Sequence, residues 1–178
     1  GYARALRGQR DKVMLQVHLG ADYSSGKYGF TTDFAVTKRE FEARLAVLDT
    51  DYADFGFIHC IDEDTDFDKV MNGGTWDYAC RMKQEGVIRH LGLSSHTPAL
   101  ANKVLDLGIV DVLMFSVNPC YDLQPAGENC EALWAEESYA GMLVNMDPAR
   151  ERLYETCQRL GVGITVMKAL PLSVGRST

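Results

Sequence analysis

The stretch Val87-Ile-Arg-His-Leu-Gly-Leu-Ser-Ser95 is a short, mostly apolar run that ends in two serines. Its length and composition predict a buried β-strand. A helical pattern from about Thr75 to Glu85 precedes it and stops at Gly86, and glycine commonly ends helices. Thr97-Pro98 then predicts the start of another helix, because Thr favours the capping position and Pro favours the first turn. The fold is therefore built from alternating strands and helices.

The same alternation extends in both directions from this unit. Four further apolar runs predict strands, and they span Lys12–Gly20, Tyr52–Ile61, Val110–Asn118 and Gly161–Lys168. Thr37 with Glu40 three residues later predicts a capping box at the start of one helix, and Asp147-Pro148 predicts the start of another that ends near Leu160. The remaining segments are predicted to be loops: residues 22–37, the acidic stretch 62–68 and the long excursion 119–145.

Strands that alternate with helices favour a parallel sheet covered by helices, in a doubly wound sheet or a (β/α)8 barrel. No G-x-G-x-x-G run follows the first strand, so the sequence lacks the usual signature of the open dinucleotide-binding sheet. Polar residues instead follow several strands, as in barrels, whose active sites lie at the carboxyl ends of the strands. We therefore expect an α/β fold, a TIM barrel incomplete in this chain, with about five βα units in a single partial domain over residues 1–178.

Composition narrows the functional classes. The 178 residues are 46% hydrophobic and carry a net charge of −7, which is typical of a globular domain and argues against nucleic-acid or anionic-membrane partners. No apolar run approaches the roughly 18 residues of a membrane span. Five cysteines without a C-x-x-C pair favour reduced thiols and a cytoplasmic location. The first residue, Gly1, is not an initiator Met, which favours a fragment or a processed chain.

Three histidines lie at the predicted strand ends: His18, His59 and His96. The residues alone leave three interpretations open, namely hydrogen-bonded structural histidines, general acid–base catalysts, and a three-histidine metal site. Asp62 follows His59 by three residues and is predicted to orient it. His90 lies inside a strand and is interpreted as structural.

Three further features of the sequence are candidates for a nucleophile or a metal site. Lys168 ends the last strand and is interpreted as a surface or ion-paired group, with a Schiff-base nucleophile as the alternative. Cys60 directly follows His59, and on a strand the two would face opposite sides, which argues against a Cys–His nucleophile pair. The acidic stretch 62–68 resembles the start of a calcium loop, but Phe67 and Gly73 occupy positions where an EF-hand needs Gly and Glu.

Four stretches resemble, in order, consecutive strand regions of the aldo-keto reductases. They are Leu48-Asp-Thr-Asp-Tyr-Ala-Asp-Phe-Gly-Phe-Ile-His59, Gly86-Val-Ile-Arg-His-Leu-Gly-Leu-Ser-Ser-His96, Val110-Asp-Val-Leu-Met-Phe-Ser-Val-Asn-Pro119 and Gly161-Val-Gly-Ile-Thr-Val-Met-Lys168. The resemblance implies that the chain spans barrel strands three to seven. His18 and the 119–145 insert are most similar to a bacterial branch that often carries an added iron–sulfur segment, whose clustered cysteines are absent here.

The resemblance implies a barrel enzyme that reduces aldehydes and ketones with NADPH or NADH, using an Asp, Tyr, Lys and His tetrad. His59 matches the family histidine, and His18 occupies the place of the lysine. The Asp and Tyr would precede Gly1, so the chain lacks the proton-donating Tyr. Ser94 and Ser95 match the pair that holds the nicotinamide carboxamide, with Asn118 as a further cofactor contact.

We therefore expect a reductase acting on a small carbonyl substrate, with no nucleic-acid or membrane partner and an open oligomeric state. In it, His59 polarises the carbonyl and His18 supports proton transfer. Two alternatives stay open. One is a catalytically inactive barrel with a binding or regulatory role, since tetrad residues are replaced or missing. The other is a metal-dependent hydrolase that uses His18, His59 and His96.

Overall fold

The structure, a computed structural model, describes residues 1–117, 122 and 146–169. The expected cofactor contact Asn118 lies outside this part of the chain, as does the predicted 119–145 loop apart from Asp122.

Strands and helices alternate along the described chain, as the sequence predicts. The strands are β1 (Gln16–Leu19), β2 (Ala21–Asp22), β3 (Gly29–Phe30), β4 (Ala53–Ile58), β5 (Ile88–Ser94), β6 (Val112–Ser116) and β7 (Gly163–Met167). The helices are α1 (Tyr2–Leu6), α2 (Phe34–Leu48), α3 (Asp64–Asn72), α4 (Thr75–Gln84), α5 (Pro98–Leu105) and α6 (Pro148–Leu160), with a 3-10 turn at Arg10–Lys12.

Five strands form one parallel sheet in the order β1-β4-β5-β6-β7, and β2 pairs with β3 in a separate antiparallel hairpin. The α/β prediction of a partial barrel with five parallel strands is confirmed. In the register, Phe57 lies beside His18 on one side and Gly92 on the other. A Cβ atom on Gly92 would lie 2.5 Å from the Phe57 ring, so this glycine makes room for the aromatic side chain.

The hydrophobic core lies between the sheet and the helices. On β1 the buried residues alternate with more exposed ones, which is the period-2 pattern of a strand with one face on a core, whereas the central strands β4, β5 and β6 are buried along most of their length. The largest fully buried side chains are Phe41, Phe57, Phe115, Leu19, Ile58, Ile61, Ile88, Leu91, Leu93, Leu105, Leu113 and Leu153. None of the described helices is long and apolar enough to cross a membrane.

Three local predictions are wrong. Residues 22–37 are not all loop, because they contain β3 and the first residues of α2. The capping box at Thr37 does not form, because α2 begins earlier and the side chain of Asp33 accepts a hydrogen bond from the N–H of Val36. Thr37 is instead buried inside the helix. The acidic stretch 62–68 is not all loop, since α3 begins at Asp64. Asp64 and Asp66 lie in its first turn, where negative charge interacts favourably with the helix dipole.

A buried carboxylate joins three segments at the amino-terminal end of the sheet. Asp54 on β4 is only 2% exposed. Its Oδ2 atom accepts hydrogen bonds from Nη1 of Arg10 and from the Leu15 N–H, both at 2.9 Å, and its Oδ1 atom accepts one from Arg89 at 2.8 Å. Burial alone would raise the pKa of Asp54, but these hydrogen bonds and the Arg10 charge hold it below its ordinary value.

We expect Asp54→Asn to lower the free energy of unfolding by about 3 kcal/mol, because it leaves the largely buried Arg10 guanidinium without its counter-charge. The depressed pKa means that Asp54 stabilises the fold above the ordinary carboxyl pKa and loses this effect as pH falls through the lower folded-state value. Urea unfolding from pH 7 down to pH 3 should therefore show a weaker pH dependence in the variant.

The matched control is Asp106→Asn, which removes an exposed carboxylate paired with Arg152 and Arg159. It should change stability by no more than about 0.5 kcal/mol. An equal decrease in the free energy of unfolding in both variants would contradict the proposed stabilising role of Asp54.

Candidate functional site

The predicted site residues meet at the carboxyl edge of the sheet. His18 is the third residue of β1, and His59 directly follows β4, the neighbouring strand. Ser94 ends β5, and Ser95 and His96 follow it. Because β1, β4 and β5 are parallel neighbours, their ends share one edge, which is where barrel enzymes place their chemistry.

His18 and His59 form a pair. Their ring centroids lie 4.6 Å apart, with the planes tilted by 48°. His18 also contacts the Phe57 ring at 5.9 Å. Its Nε2 atom is buried and has no hydrogen-bond partner among the described residues. An unsatisfied buried nitrogen is costly unless something binds to it, so this atom is a natural point of contact for a polar ligand.

Both imidazoles favour the neutral form. The pKa of His59 is lowered to about 4, mainly by burial and to a smaller extent by the neighbouring His18 and His96 rings. The negative charge of Asp62 acts in the opposite direction. Burial also lowers the pKa of His18. At neutral pH the pair therefore consists of two uncharged rings. A neutral imidazole can donate a hydrogen bond to a carbonyl oxygen and polarise it without carrying a charge.

Sequence reasoning missed Tyr28. Its hydroxyl oxygen lies against both ring nitrogens of His59, 2.8 Å from Nε2 and 3.2 Å from Nδ1. The β2–β3 hairpin carries it there, and Gly20, with φ of 107°, lets the chain turn sharply from β1 into that hairpin. Partial burial of the hydroxyl, with the nearby Cys60 and Tyr23 groups, raises the pKa of Tyr28. This tyrosine therefore keeps its proton at neutral pH.

The prediction that Asp62 orients His59 is wrong, because the Asp62 carboxylate is bonded to His96. Its Oδ1 atom accepts hydrogen bonds from the His96 N–H at 2.6 Å and from the Ser95 hydroxyl at 3.2 Å. Its Oδ2 atom lies 2.8 Å from Nδ1 of His96. Burial alone would raise the pKa of Asp62, but the His96 hydrogen bonds and charge hold it below the ordinary value.

This pairing also separates the three histidines of the metal-site alternative. His96 turns its Nδ1 atom toward Asp62 and Cys60, whereas His18 pairs with His59. Within the described part of the chain, His18 and His59 belong to no group of side chains close enough to share one ion. The three-histidine site is therefore not formed.

The expected cofactor contacts stay predictions. Ser94 and Ser95 both lie at the carboxyl edge and are almost completely buried. The Ser95 hydroxyl donates to the Ile61 carbonyl at 2.7 Å and accepts from the Thr97 N–H at 3.1 Å, so it builds the loop after β5. Lys168 follows β7, at the other end of the sheet from β1, and the Schiff-base alternative stays untested.

The sequence model of the aldo/keto reductase family matches residues 2–175. The chain belongs to the aldo/keto reductase family. Among curated proteins, none gives a significant match.

Solved structures agree on the fold of this aldo/keto reductase chain. It is similar to aldo-keto reductase AKR11C1 from Bacillus halodurans in its holo form, with 23% identity and a TM-score of 0.64 over 94% of this chain and 46% of that one. A putative aldo-keto reductase from Pseudomonas aeruginosa gives 22% identity and a TM-score of 0.64, with 93% and 53% covered.

An aldo/keto reductase from Klebsiella pneumoniae, solved in complex with NADP and acetate, is 16% identical. Its TM-score is 0.54, over 94% of this chain and 46% of that one. The chain thus spans about half the length of these reductases.

The low pKa of His59 can be tested by following its ring protons as the pH is lowered. In a buffer without divalent metal ions, its ring proton resonances should keep the positions of neutral imidazole down to about pH 5, because protonation sets in only near the pKa of about 4. A two-dimensional NMR titration measures this, and His59→Asn assigns the resonances by removing them. A midpoint near the ordinary value of 6.5 would contradict the buried, crowded environment described here.

Proposed function

We propose that this chain carries part of the active site of an NAD(P)H-dependent reductase of aldehydes and ketones. The observation that carries the proposal is the His18–His59 pair at the carboxyl edge of a parallel sheet, in a chain of the aldo/keto reductase family. Two neutral imidazoles beside a tyrosine hydroxyl suit an uncharged, polarisable group such as a carbonyl. The substrate class is therefore a small aldehyde or ketone.

His59 is proposed to act on the substrate carbonyl. Its neutral ring can donate a hydrogen bond to the carbonyl oxygen and stabilise the negative charge that develops there. The Tyr28 hydroxyl oxygen lies 2.8 Å from His59 Nε2, and its raised pKa keeps the hydroxyl protonated at neutral pH, so it is proposed as the source of the proton that reaches the carbonyl oxygen through His59. His18, packed on His59, is proposed to support the transfer of this proton.

The described edge fits a nicotinamide group. That group is planar and has an amide, and the edge offers the buried, unsatisfied Nε2 atom of His18 together with neutral aromatic surfaces. When bound, the cofactor would supply the hydride. Ser94, Ser95 and Asn118 are the residues proposed to hold it, with Ser95 acting through the loop that its hydroxyl builds. The NADP complex of the Klebsiella pneumoniae reductase supports NADPH as the cofactor, with NADH as the alternative.

The test is NADPH oxidation by the purified protein, followed by absorbance over a panel of aldehydes and ketones, with NADPH binding measured separately by fluorescence. We expect His59→Asn to lower kcat by roughly 10²- to 10⁴-fold while NADPH binding is retained, because the variant loses the carbonyl donor and the proton path.

The matched control is His90→Asn, which changes an exposed histidine that stacks on Phe55 within the sheet. It should leave kcat unchanged within about twofold, since His90 lies before the carboxyl edge. A protein that neither binds NADPH nor oxidises it with any member of the panel would overturn the proposal and favour the inactive-barrel alternative.

A further inference from the structure

A cluster of three different side chains lies beside the histidine pair and plays no part in the proposed reduction. The Sγ atom of Cys60 lies 3.4 Å from Oδ2 of Asp62 and 3.9 Å from Nδ1 of His96. Oδ2 of Asp62 lies 2.8 Å from the same Nδ1 atom. A thiol, a carboxylate and an imidazole therefore converge on one point. All three residues are partly exposed, so the point is accessible from solvent.

The convergence excludes a nucleophile triad. In a Cys–His–Asp triad the thiol and the carboxylate contact opposite nitrogens of the imidazole, so that a proton can pass through the ring. Here both face the same nitrogen of His96. Three ligand atoms directed at one point are instead the arrangement of a metal site.

The separations suit zinc. Ligands bound at 2.0–2.3 Å in a tetrahedron lie about 3.3–3.6 Å from one another. The two separations that involve Cys60 are 3.4 and 3.9 Å, close to this range. The separation between Asp62 and His96 is 2.8 Å, and it needs to open by roughly 0.5 Å to reach the tetrahedral value.

The surroundings already orient these ligands. Oδ1 of Asp62 is held by the His96 N–H and the Ser95 hydroxyl, which leaves Oδ2 directed at the cluster. Such outer hydrogen bonds are what fixes carboxylate ligands in metalloproteins. Cys60 has φ of 58°, a left-handed conformation that is rare for residues other than glycine. This turn brings its thiol toward Asp62 and His96, which strand alternation would not do.

The adjoining cleft favours a cation. It has a volume of about 680 Å³ and is bordered by Cys60 and Asp62 together with the acidic residues Glu63, Asp64 and Asp66. Lys103 also borders it and pairs with Asp64. The acidic side chains outnumber this single lysine, so the local field attracts positive charge.

We propose that Cys60, Asp62 and His96 bind a zinc-like divalent cation, with a fourth coordination position open to this cleft. Binding replaces the thiol proton of Cys60, which is released to solvent, because the thiolate is the form that ligates metal. The proton between Nδ1 of His96 and the Asp62 carboxylate is displaced as well, and the neutral ring then carries its proton on Nε2. The ion would link the segments that follow β4 and β5. The proposal does not rest on the reductase function, since none of the three ligands takes part in the proposed carbonyl chemistry.

The test uses the purified chain after treatment with a chelator. Titration with Co²⁺ should give about one equivalent of binding and a thiolate-to-cobalt charge-transfer band, and Zn²⁺ should displace it. Cys60→Ser should abolish the band and weaken Zn²⁺ binding at least 100-fold in competition with a chromophoric chelator, because it removes the soft ligand. The matched control, Cys80→Ser, changes a half-buried cysteine on α4. It should leave both the cobalt band and the affinity for Zn²⁺ unchanged.

A second measurement covers the case in which the variant fails to fold. Zn²⁺ should slow alkylation of Cys60 by iodoacetamide in the unmodified chain, and mass spectrometry of peptides locates the label. It should also raise the melting temperature of that chain. Absence of both the cobalt band and the protection of Cys60 would overturn the proposal. A cobalt band that persists in Cys60→Ser would equally overturn it, because another thiol would then be the ligand.

Discussion

The Asp62 carboxylate fixes the geometry of the candidate site. It lies after β4, yet its hydrogen bonds go to Ser95 and His96, which follow β5. Parallel strands bring two segments to the same edge but do not define how those segments meet. Asp62 defines it, because one of its oxygens binds the His96 N–H and the Ser95 hydroxyl while the other binds the His96 ring. The depressed pKa of this carboxyl keeps the charge in place at neutral pH, so the two segments stay joined.

Most of the fold could be predicted from sequence. Short apolar runs that end in glycine or polar residues identify the five parallel strands, and Asp147 caps its helix as expected through the Ala149 N–H. The histidines at the strand ends were also predictable, since parallel strands place their ends together. The sequence was less informative where two residues could each cap the same helix. Thr37 has a good capping sequence, but Asp33 provides the cap four residues earlier and the helix begins there.

The chemistry of the site depends on contacts between distant residues, and single-sequence patterns carry no information about these. Tyr28 reaches His59 across 31 positions, and Asp62 reaches His96 across 34. On a strand, Cys60 and His59 would face opposite sides of the sheet. Cys60 instead has a left-handed backbone conformation, so this alternation does not apply to it. The low pKa of His59 likewise results mainly from burial, which only the packed structure reveals.

The Asp54 cluster and the histidine pair lie at opposite ends of neighbouring strands, so anchoring and chemistry occupy separate parts of the sheet. The hydrogen bonds that Asp54 accepts from Arg10 and Arg89 involve no side chain at the carboxyl edge, so we expect substitutions at that edge to leave them in place. The chain can therefore accumulate changes around its site without losing its tertiary structure. This separation gives a physical reason why residues at the carboxyl edge of a barrel can change while the architecture persists.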